Sequence, residues 1–556
     1  MALADDALVG DSGGEPSGLP FDAGVDVARR SSEPWWKSAV IYQIYPRSFQ
    51  DANGDGVGDL AGVLQRLDYL VDLGVDALWL SPFYRSPMAD FGYDVSDHVS
   101  VDPIFGDMAD VRALVRGCRD RGLKLIVDYI PNHTSDRHLW FAESRSSRVN
   151  PRRDWFIWRD AAPDGGPPNN WRSEFGGPAW TWDPGREQYY YHAFLSCQPD
   201  LNWRCRDVVE AMLNVMRFWL DRGVDGFRVD AIHHLMERED LADNPPNPLW
   251  REEMDPADRL LRVGTVDQPE VHGAVAAMRR VLDDYPGEQV LIGEAYLPLD
   301  RLVTYYGAPD DGFHLPFNFH LISTPWTPMA VAALVAAYER QLPAHGWPNW
   351  VLSNHDRSRL ASRIGAQQAR VAAMLLLTLR GTPTLYQGDE LGMTDVAIAP
   401  DQVRDPLEIN VPGLGLGRDP ARTPMLWSPE TCAGFSTAEP WLPLSPDWRE
   451  INVERQSEMQ GSVLGFHKAL LALRRTQAAL RLGDYVEVAA TEKVLAYERR
   501  HGDERLLIVL NMTDALETIT APAGEIILTT DDQGLSSRSA GPLPVGPHRG
   551  LILRVT

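Results

Sequence analysis

The chain alternates short apolar runs with amphipathic helices, and this alternation constrains its fold more than any other feature. Apolar runs bounded by turn residues indicate buried strands, and apolar stripes at helical spacing indicate helices. Three of the predicted helices end at Gly74, Gly122 and Gly223, and glycine readily adopts the left-handed conformation that closes a helix. The strand candidates are VIYQIYP, ALWLSP, KLIVDYI, DGFRVDA, VLIGEAY, FNFHLI, WVLSNHD and GTPTLYQGDE. Eight strands that alternate with helices predict an α/β fold with a (β/α)8 TIM barrel.

The predicted helices present one apolar face each. The segment LAGVLQRLDYLVDLG is predicted to be a single helix. Its apolar face consists of Leu60, Val63, Leu64, Leu67 and Val71. Faces of this kind are expected to cover the outside of the barrel.

The length of 556 residues is too great for a barrel alone, and smaller domains are expected beside it. Residues 34–131 and 205–480 are predicted to form the barrel. Residues 132–204 are rich in proline, glycine and aromatic residues, and they predict a subdomain inserted after the third strand. Residues 481–556 contain short β-rich runs and predict a C-terminal antiparallel β-sandwich. Residues 1–33 are predicted to be a disordered leader.

Composition narrows the class of partner. The formal net charge of −25 argues against nucleic acid or an anionic membrane, because phosphate binding needs a basic surface. A neutral small molecule suits this charge better. The N-terminal segment lacks the pattern of a secretory signal, and no stretch reaches transmembrane length, so a cytoplasmic enzyme is expected. Nothing in the sequence indicates an oligomeric state.

Four cysteines are present, and their spacing matches neither a metal site nor a redox motif. Cys118 lies on an apolar helix face and is predicted to be a buried thiol. Cys197 and Cys205 are close enough in sequence for a disulfide, but the spacing does not favour one.

Three strand candidates deliver a carboxyl group at their C-terminal ends: Asp230, Glu294 and Asp356. The ends of parallel strands meet over one mouth of a barrel. Cleavage of a glycosidic bond uses one carboxylate and one protonated carboxyl on either side of the sugar. Any one of these acids alone would more often be a buried ion-pair partner, but three together favour this chemistry. Arg228 is expected to keep Asp230 ionised, whereas neighbouring carboxylates should raise the pKa of Glu294.

Several motifs carry a resemblance to a known family. The stretches DYIPNH, GFRVDAI, IGEAY and SNHD occur in this order, and QPDLNW lies in the inserted region. Together they resemble the signature stretches of the α-amylase superfamily (glycoside hydrolase family 13), and within it the α-glucosidase and oligo-1,6-glucosidase group. The likeness spans about residues 35–427. It implies a retaining, exo-acting α-glucosidase that releases glucose from short α-glucosides such as maltose, maltooligosaccharides or sucrose, with some transglucosylation.

The resemblance also implies roles for individual residues. Asp230 would be the nucleophile, Glu294 the acid/base and Asp356 the stabiliser of the transition state. The residues implied to bind glucose are Tyr93 as a stacking platform, His133 and His355 at hydroxyls, Arg228 beside the nucleophile, and Asp94 with Arg422 at the terminal 4-hydroxyl. A charged pair that closes the pocket at the non-reducing end of the substrate would prevent a longer sugar chain from passing through it, so cleavage would be exo-acting. The alternative for Arg422 is a surface ion pair.

The loop DANGDGVGD is a candidate cation site, because Asp51, Asn53, Asp55 and Asp59 place oxygens at alternate positions. An EF-hand is excluded, since its twelfth position is Gly62 rather than Glu. The resemblance implies one structural Ca²⁺ with the backbone carbonyl of Val57 as a further ligand, and Mg²⁺ is the alternative ion. The other interpretation is an Asx-rich turn without an ion.

Other functions remain open on the same scaffold. A sucrose isomerase or another α-glucosyl transferase would share the covalent intermediate and pass the glucose to a sugar instead of water. An oligo-1,6-glucosidase is a further alternative, but in the resembling group a small residue such as Ala231 after the nucleophile goes with α-1,4 linkages. A non-catalytic binding subunit is disfavoured, because such relatives usually lose the carboxylates that this chain keeps.

Overall fold

The computed structural model describes residues 33–531 and 535–556, and a ring of parallel strands forms its centre. Neighbouring strands pair in the order 6-5-4-3-2-1-8-7, and an isolated parallel bridge between Asn318 and Trp350 links the sixth strand to the seventh. The strands are Ile41–Ile44, Ala77–Leu80, Lys124–Tyr129, Gly226–Val229, Val290–Gly293, Leu315–Pro316, Asn349–Val351 and Thr382–Tyr386. Both faces of these strands are buried, which is why their sequences are continuously apolar.

The sixth strand differs from the prediction. The run FNFHLI was expected to be the strand, but the strand is Leu315–Pro316, and His320–Ser323 is a helix. The side chain of Asn318 accepts a hydrogen bond from the backbone N–H of His320 at 3.0 Å and starts the helical turn. Phe317 and Phe319 nevertheless pack inside the barrel. Their burial explains why this run is apolar although it is not a strand.

Helices cover the outside of the ring. The α-helices are Trp35–Ser38, Leu60–Gln65, Leu67–Leu73, Met108–Asp120, Leu139–Ser146, Arg206–Leu220, Val271–Asp283, Leu299–Leu302, His320–Ser323, Pro328–Gln341, Leu360–Ile364, Ala369–Thr378, Pro406–Asn410, Val453–Glu458, Val463–Thr476 and Ala478–Leu482. The predicted glycine caps are present, since Gly74, Gly122 and Gly223 all have positive φ. These caps let each helix turn directly into the following strand.

The first long helix is interrupted rather than continuous. It divides at Arg66 into Leu60–Gln65 and Leu67–Leu73. The buried residues of the second half are Leu67, Leu70 and Leu73. Val71, which was predicted to face the core, is 37% exposed.

The inserted region has a small fold of its own. Helix Leu139–Ser146 is followed by strands Trp158–Arg159, Trp180–Asp183 and Gln188–Tyr191, which form a three-stranded antiparallel sheet. An aromatic cluster that includes Trp171 packs this region together. A separate two-stranded ladder, Tyr84–Arg85 with Asp97–Val101, lies earlier in the chain.

The C-terminal region is one six-stranded antiparallel sheet. Its strands are Asp484–Ala490, Val494–His501, Glu504–Asn511, Glu517–Thr529, Arg538–Val545 and Gly550–Val555. One face packs into the main core through residues such as Tyr497 and Ile508, and the other encloses a separate cluster that includes Val509 and Leu543. The predicted TIM barrel with a C-terminal antiparallel β domain is confirmed, but the strands of that domain belong to one six-stranded sheet, whereas a β-sandwich was predicted.

The remaining predictions about the chain have separate outcomes. Cys118 is buried as predicted, and all four cysteines are free, including Cys197 and Cys205. Within residues 33–531 and 535–556, no helix has the length and apolar character needed to cross a bilayer. The predicted disordered leader falls almost wholly outside the described residues.

Candidate active site

The three predicted carboxyls meet at one cavity. Asp230, Glu294 and Asp356 all line the same pocket of about 490 Å³, at the C-terminal mouth of the barrel. Each follows a different strand, the fourth, fifth and seventh of the ring. Residues far apart in sequence therefore converge on one space of a size that suits a sugar.

Local backbone geometry brings the first two acids together. The fourth and fifth strands approach closely at Gly226, where a Cβ atom would lie 2.2 Å from the carbonyl oxygen of Val290. After Asp230 the chain turns sharply, because Ala231 adopts a left-handed conformation with φ 43°. The Ala231 N–H then donates to Glu294 Oε2 at 2.9 Å. Glycine in the strand and a small residue after it thus permit this arrangement.

A buried arginine joins the acids. Arg228 contacts Asp230 Oδ1 through Nη1 at 2.7 Å, and Asp128 Oδ1 through the same nitrogen at 2.8 Å. Its Nη2 lies 2.7 Å from Glu294 Oε1. Asp128 belongs to the DYIPNH motif and is a participant that the sequence analysis did not single out. One guanidinium therefore fixes the positions of three carboxyl groups.

Burial dominates the titration of the two central acids. It raises the pKa of Asp230 to about 7, although Arg228 acts in the opposite direction. It also raises the pKa of Glu294 to about 8, and the nearby charges of Asp230 and Asp356 add to the effect. Arg228 was expected to keep Asp230 ionised, but burial raises the pKa of Asp230 by more than Arg228 lowers it. Asp230 is nevertheless the easier of the two to ionise.

Asp356 has the opposite character. Burial alone would raise its pKa, but His355 and the guanidiniums of Arg422 and Arg418 outweigh burial and hold it well below its usual range. Arg422 Nη2 lies 2.8 Å from Asp356 Oδ1, and Arg418 Nη1 lies 3.6 Å from the same oxygen. Asp356 is therefore a carboxylate at every ordinary pH.

The predicted sugar-binding side chains divide into two layers. Tyr93 and His133 line the pocket. His355 lies behind them, with its Nε2 at 2.8 Å from the Tyr93 hydroxyl and its Nδ1 at 2.7 Å from Gln43 Nε2. Both its ring nitrogens are engaged by protein, and burial lowers its pKa to about 3. His355 is placed to orient Tyr93 and Asp356 rather than to reach a ligand.

The predicted grip of Asp94 and Arg422 on a sugar does not agree with the structure. Both side chains are fully buried and neither lines the pocket. The Asp94 carboxylate accepts hydrogen bonds from Ser86 Oγ at 2.8 Å and from the backbone N–H groups of Ala89 and Asp90 at 2.9 Å each. Arg422 donates to the backbone oxygen of His355. These two residues support the pocket wall instead of forming it.

A different pair, four residues earlier in each motif, occupies that wall. Asp90 and Arg418 both line the pocket, and Arg418 Nη2 lies 2.7 Å from Asp90 Oδ1. Asp405 Oδ1 lies 2.6 Å from the same nitrogen, and Arg418 Nε donates to Asp405 Oδ2 at 3.0 Å. Both motifs, ADFGYD and RDPAR, contain two candidates, so only the direction of the side chains separates the correct pair.

The outer part of the pocket was not predicted. Arg262 pairs with Glu174 at 2.6 Å and with Asp258 at 2.7 Å, and His233 and His234 lie beside them. Burial raises the pKa of Glu174 to about 7. These residues come from the inserted region and from the loop after the fourth strand, and no motif marked them.

A second cavity of about 830 Å³ adjoins the first. The two share Tyr296, Asp356, Arg357 and Leu416 in their walls. Tyr296 stacks on Phe319 with ring centres 4.4 Å apart. The second cavity is lined largely by apolar groups, and of the three acids only Asp356 borders both cavities.

The DANGDGVGD loop is held by its own side chains. Asp51 accepts hydrogen bonds from the N–H groups of Gly54 and Gly56, Asn53 from Asp55, Asp55 from Val57, and Asp59 from Ala52, Asn53 and Gly62. Among the described residues, no group of three or more His, Cys, Asp or Glu side chains is close enough to hold a metal ion. The donor chemistry suits a hard cation, but in this geometry the oxygens face the loop backbone and do not form a coordination shell.

Comparison with known proteins settles the family. A family model for the catalytic domain of α-amylase matches residues 43–483. The chain belongs to the α-amylase family. A probable α-glucosidase of Rhizobium meliloti (strain 1021) is 42% identical over 503 residues, which are 88% of this chain and 91% of the relative.

Two solved structures superpose on this α-amylase-family chain over nearly its whole length. An α-glucosyl transfer enzyme superposes with a TM-score of 0.89 at 41% identity, over 94% of this chain and 100% of the other. A trehalulose synthase from Pseudomonas mesoacidophila MX-45 gives a TM-score of 0.88 at 34% identity, over 95% and 100% of the two chains.

Proposed function

We propose that this α-amylase-family enzyme is a retaining, exo-acting α-glucosidase that releases glucose from the non-reducing end of short α-glucosides. The observation that carries the proposal is the meeting of Asp230, Glu294 and Asp356 at one cavity. The names of relatives such as the probable α-glucosidase of Rhizobium meliloti support the substrate class. Maltose, maltooligosaccharides and sucrose are the expected substrates, and a small neutral molecule is the expected partner. A cytoplasmic location stays a prediction.

The proposed reaction has two steps. Asp230 attacks the anomeric carbon while Glu294 gives its proton to the departing oxygen, so the glycosidic bond breaks and a glucosyl ester forms. Asp356, which stays ionised, stabilises the positive charge that develops on the ring. Water then attacks the anomeric carbon, its proton passes to Glu294, and the bond to Asp230 breaks. Esterification removes the charge of Asp230, one of the causes that raise the pKa of Glu294, so Glu294 can then act as a base.

A panel of substrates tests the proposal. In a panel of maltose, sucrose, isomaltose, trehalose and an aryl α-glucoside, we expect glucose release from maltose and sucrose to be faster than from isomaltose and trehalose, with the α-anomer of glucose appearing first by NMR. Asp230→Ala should lower turnover about 10⁴-fold or more while circular dichroism stays unchanged. Activity of the variant within tenfold of the wild type, or initial release of the β-anomer, would refute the assigned nucleophile.

The pH dependence of kcat/KM follows from the two raised pKa values. Turnover needs Asp230 ionised and Glu294 protonated, so kcat/KM for maltose should fall below pH about 7 and above pH about 8. With an aryl α-glucoside whose leaving group needs no acid, Glu294→Gln should lose the alkaline limb. A flat profile between pH about 5 and 9 in the wild type would contradict this assignment.

We propose that Asp90 and Arg418, rather than Asp94 and Arg422, bind the 4-hydroxyl of the terminal glucose. Asp90→Asn should lower kcat/KM for maltose about 100-fold, because one partner of a buried charge pair is lost. The wild type should discriminate strongly against 4′-deoxymaltose, which lacks the 4-hydroxyl of the non-reducing glucose, and Asp90→Asn should lose that discrimination. Asp94→Asn is the matched variant and should keep it. The reverse result would restore the Asp94 assignment.

Transfer of glucose to an acceptor other than water is the second candidate function. The observation that favours it is the 830 Å³ cavity beside Asp356, which offers room for an acceptor. The similar α-glucosyl transfer enzyme and trehalulose synthase support it further. Product analysis at high sucrose or maltose separates the two functions, since stoichiometric glucose indicates hydrolysis and dominant oligosaccharide or isomer indicates transfer. The small side chain of Ala231 leaves room beside Asp230 and does not favour strict α-1,6 specificity.

The calcium site is a separate proposal. Asp51, Asn53, Asp55, Asp59 and the carbonyl of Val57 would hold one structural Ca²⁺, or Mg²⁺, after a small rearrangement of the loop. Ca²⁺ should then raise the melting temperature of chelator-treated protein by about 2–4 °C. Asp55→Asn keeps an oxygen acceptor but removes a charge, and it should abolish the shift. Equal melting temperatures in EDTA, Ca²⁺ and Mg²⁺ would show that the hydrogen-bonded turn needs no ion.

A further inference from the structure

A small cavity with cationic walls lies at the end of the barrel opposite the active site. It has a volume of about 220 Å³. Its lining includes Val40, Asp76 and Lys124, which stand just before or at the beginning of the first three barrel strands. Arg474 and Arg475, from helix Val463–Thr476, and Arg481, from helix Ala478–Leu482, complete the lining.

Only two of the four cations in this wall have a carboxylate partner. Lys124 Nζ lies 2.8 Å from Asp225 Oδ1, and Arg475 Nη2 lies 3.4 Å from Asp76 Oδ1. Neither Arg474 nor Arg481 forms a salt bridge within the described part of the chain. The wall therefore carries an excess of positive charge in a protein whose formal net charge is −25.

One arginine of the cavity lining, Arg474, is buried but incompletely hydrogen-bonded. Arg474 is 1% exposed. Its Nη1 and Nη2 donate to the backbone oxygens of Leu377, Leu480 and Gly381 at 2.7–2.9 Å. Its Nε has no hydrogen-bond partner, and neither has the buried Nε of Arg481. Burial lowers the pKa of Arg474 to about 10, which leaves it charged at neutral pH.

We propose that this cavity binds a small oxyanion of the phosphate type. A buried cation with no carboxylate in direct contact is costly, and an anion that accepts the free N–H groups would relieve that cost. Guanidinium groups match the geometry of tetrahedral oxyanions better than ammonium groups do. The cavity is smaller than the pockets of about 300–1,000 Å³ that enclose larger ligands. Inorganic phosphate fits this description better than a phosphorylated sugar.

The position of the cavity determines what binding would change. The catalytic carboxyls follow the C-terminal ends of the strands, whereas this cavity lies at their N-terminal ends. It joins the barrel to helices Val463–Thr476 and Ala478–Leu482, which lead into the C-terminal sheet. An anion held here would tie these elements together. The expected effect is a higher stability of the folded chain with an unchanged rate of turnover.

Thermal unfolding of the full chain tests the proposal. Inorganic phosphate, compared with chloride at equal ionic strength and pH, should raise the melting temperature of the wild type by about 1–3 °C more than that of Arg481→Gln. The comparison between variants is needed, because phosphate also stabilises proteins by exclusion from their surface. Arg112→Gln, which removes an exposed arginine elsewhere, is the matched control and should keep the full increment.

Direct binding measurements with inorganic phosphate and with glucose 6-phosphate complete the test. Titration calorimetry with inorganic phosphate should detect binding to the wild type and to Arg112→Gln, and not to Arg481→Gln. If Arg481→Gln fails to fold, Arg475→Gln takes its place. Glucose 6-phosphate should bind more weakly than phosphate, and tighter binding would identify a sugar phosphate as the ligand and overturn the assignment to the free ion. An equal rise in melting temperature with phosphate in the wild type and in all variants would refute the site.

Discussion

The site depends on a single buried cation, the guanidinium of Arg228. It contacts carboxyls at the ends of three adjacent strands: Asp128, Asp230 and Glu294. Three buried carboxyls at this distance would repel one another without a charge between them. The planar fork of arginine bonds several oxygens at once, which a lysine could not do in the same geometry. The guanidinium of Arg228 thus stabilises the three acids where the strands converge.

The environment gives chemically similar acids different protonation states. Burial raises the pKa of Asp230 and of Glu294. Asp356 experiences the same burial, but two arginines and a histidine hold its pKa low. An acid that keeps its proton therefore lies beside one that never takes it. This separation is the physical basis for assigning proton transfer to Glu294 and charge stabilisation to Asp356.

Several residues of the sequence motifs lie behind the pocket wall and support the residues that line it. Arg422, His355 and Asp94 lie within the motifs, and each contacts a pocket residue or the backbone beside it. None of them lines the cavity that contains Asp230, Glu294 and Asp356. Their role is to fix the directions of Asp356, Tyr93 and Asp90, since a site of this kind needs its side chains in place before the substrate arrives.

Local patterns alone identified most of the barrel and the three strand-end acids. Apolar runs mark strands wherever both faces are buried, and the glycine caps mark helix ends through their own backbone preference. The same reasoning misplaced the sixth strand, because the apolar run at Phe317 and Phe319 is equally compatible with a buried helix start. It also missed the break at Arg66, which no local signal indicated.

The sequence by itself determined the fold class, the family resemblance and the three strand-end acids that line the cavity, because each depends on short patterns that survive without knowledge of distant contacts. Only the tertiary structure decided which acid and which arginine face the cavity. Asp90 and Asp94 share one loop, and so do Arg418 and Arg422, so their directions depend on hydrogen bonds and ion pairs with partners elsewhere in the fold. The protonation of Asp230 was decided in the same way, since burial is a property of the folded molecule.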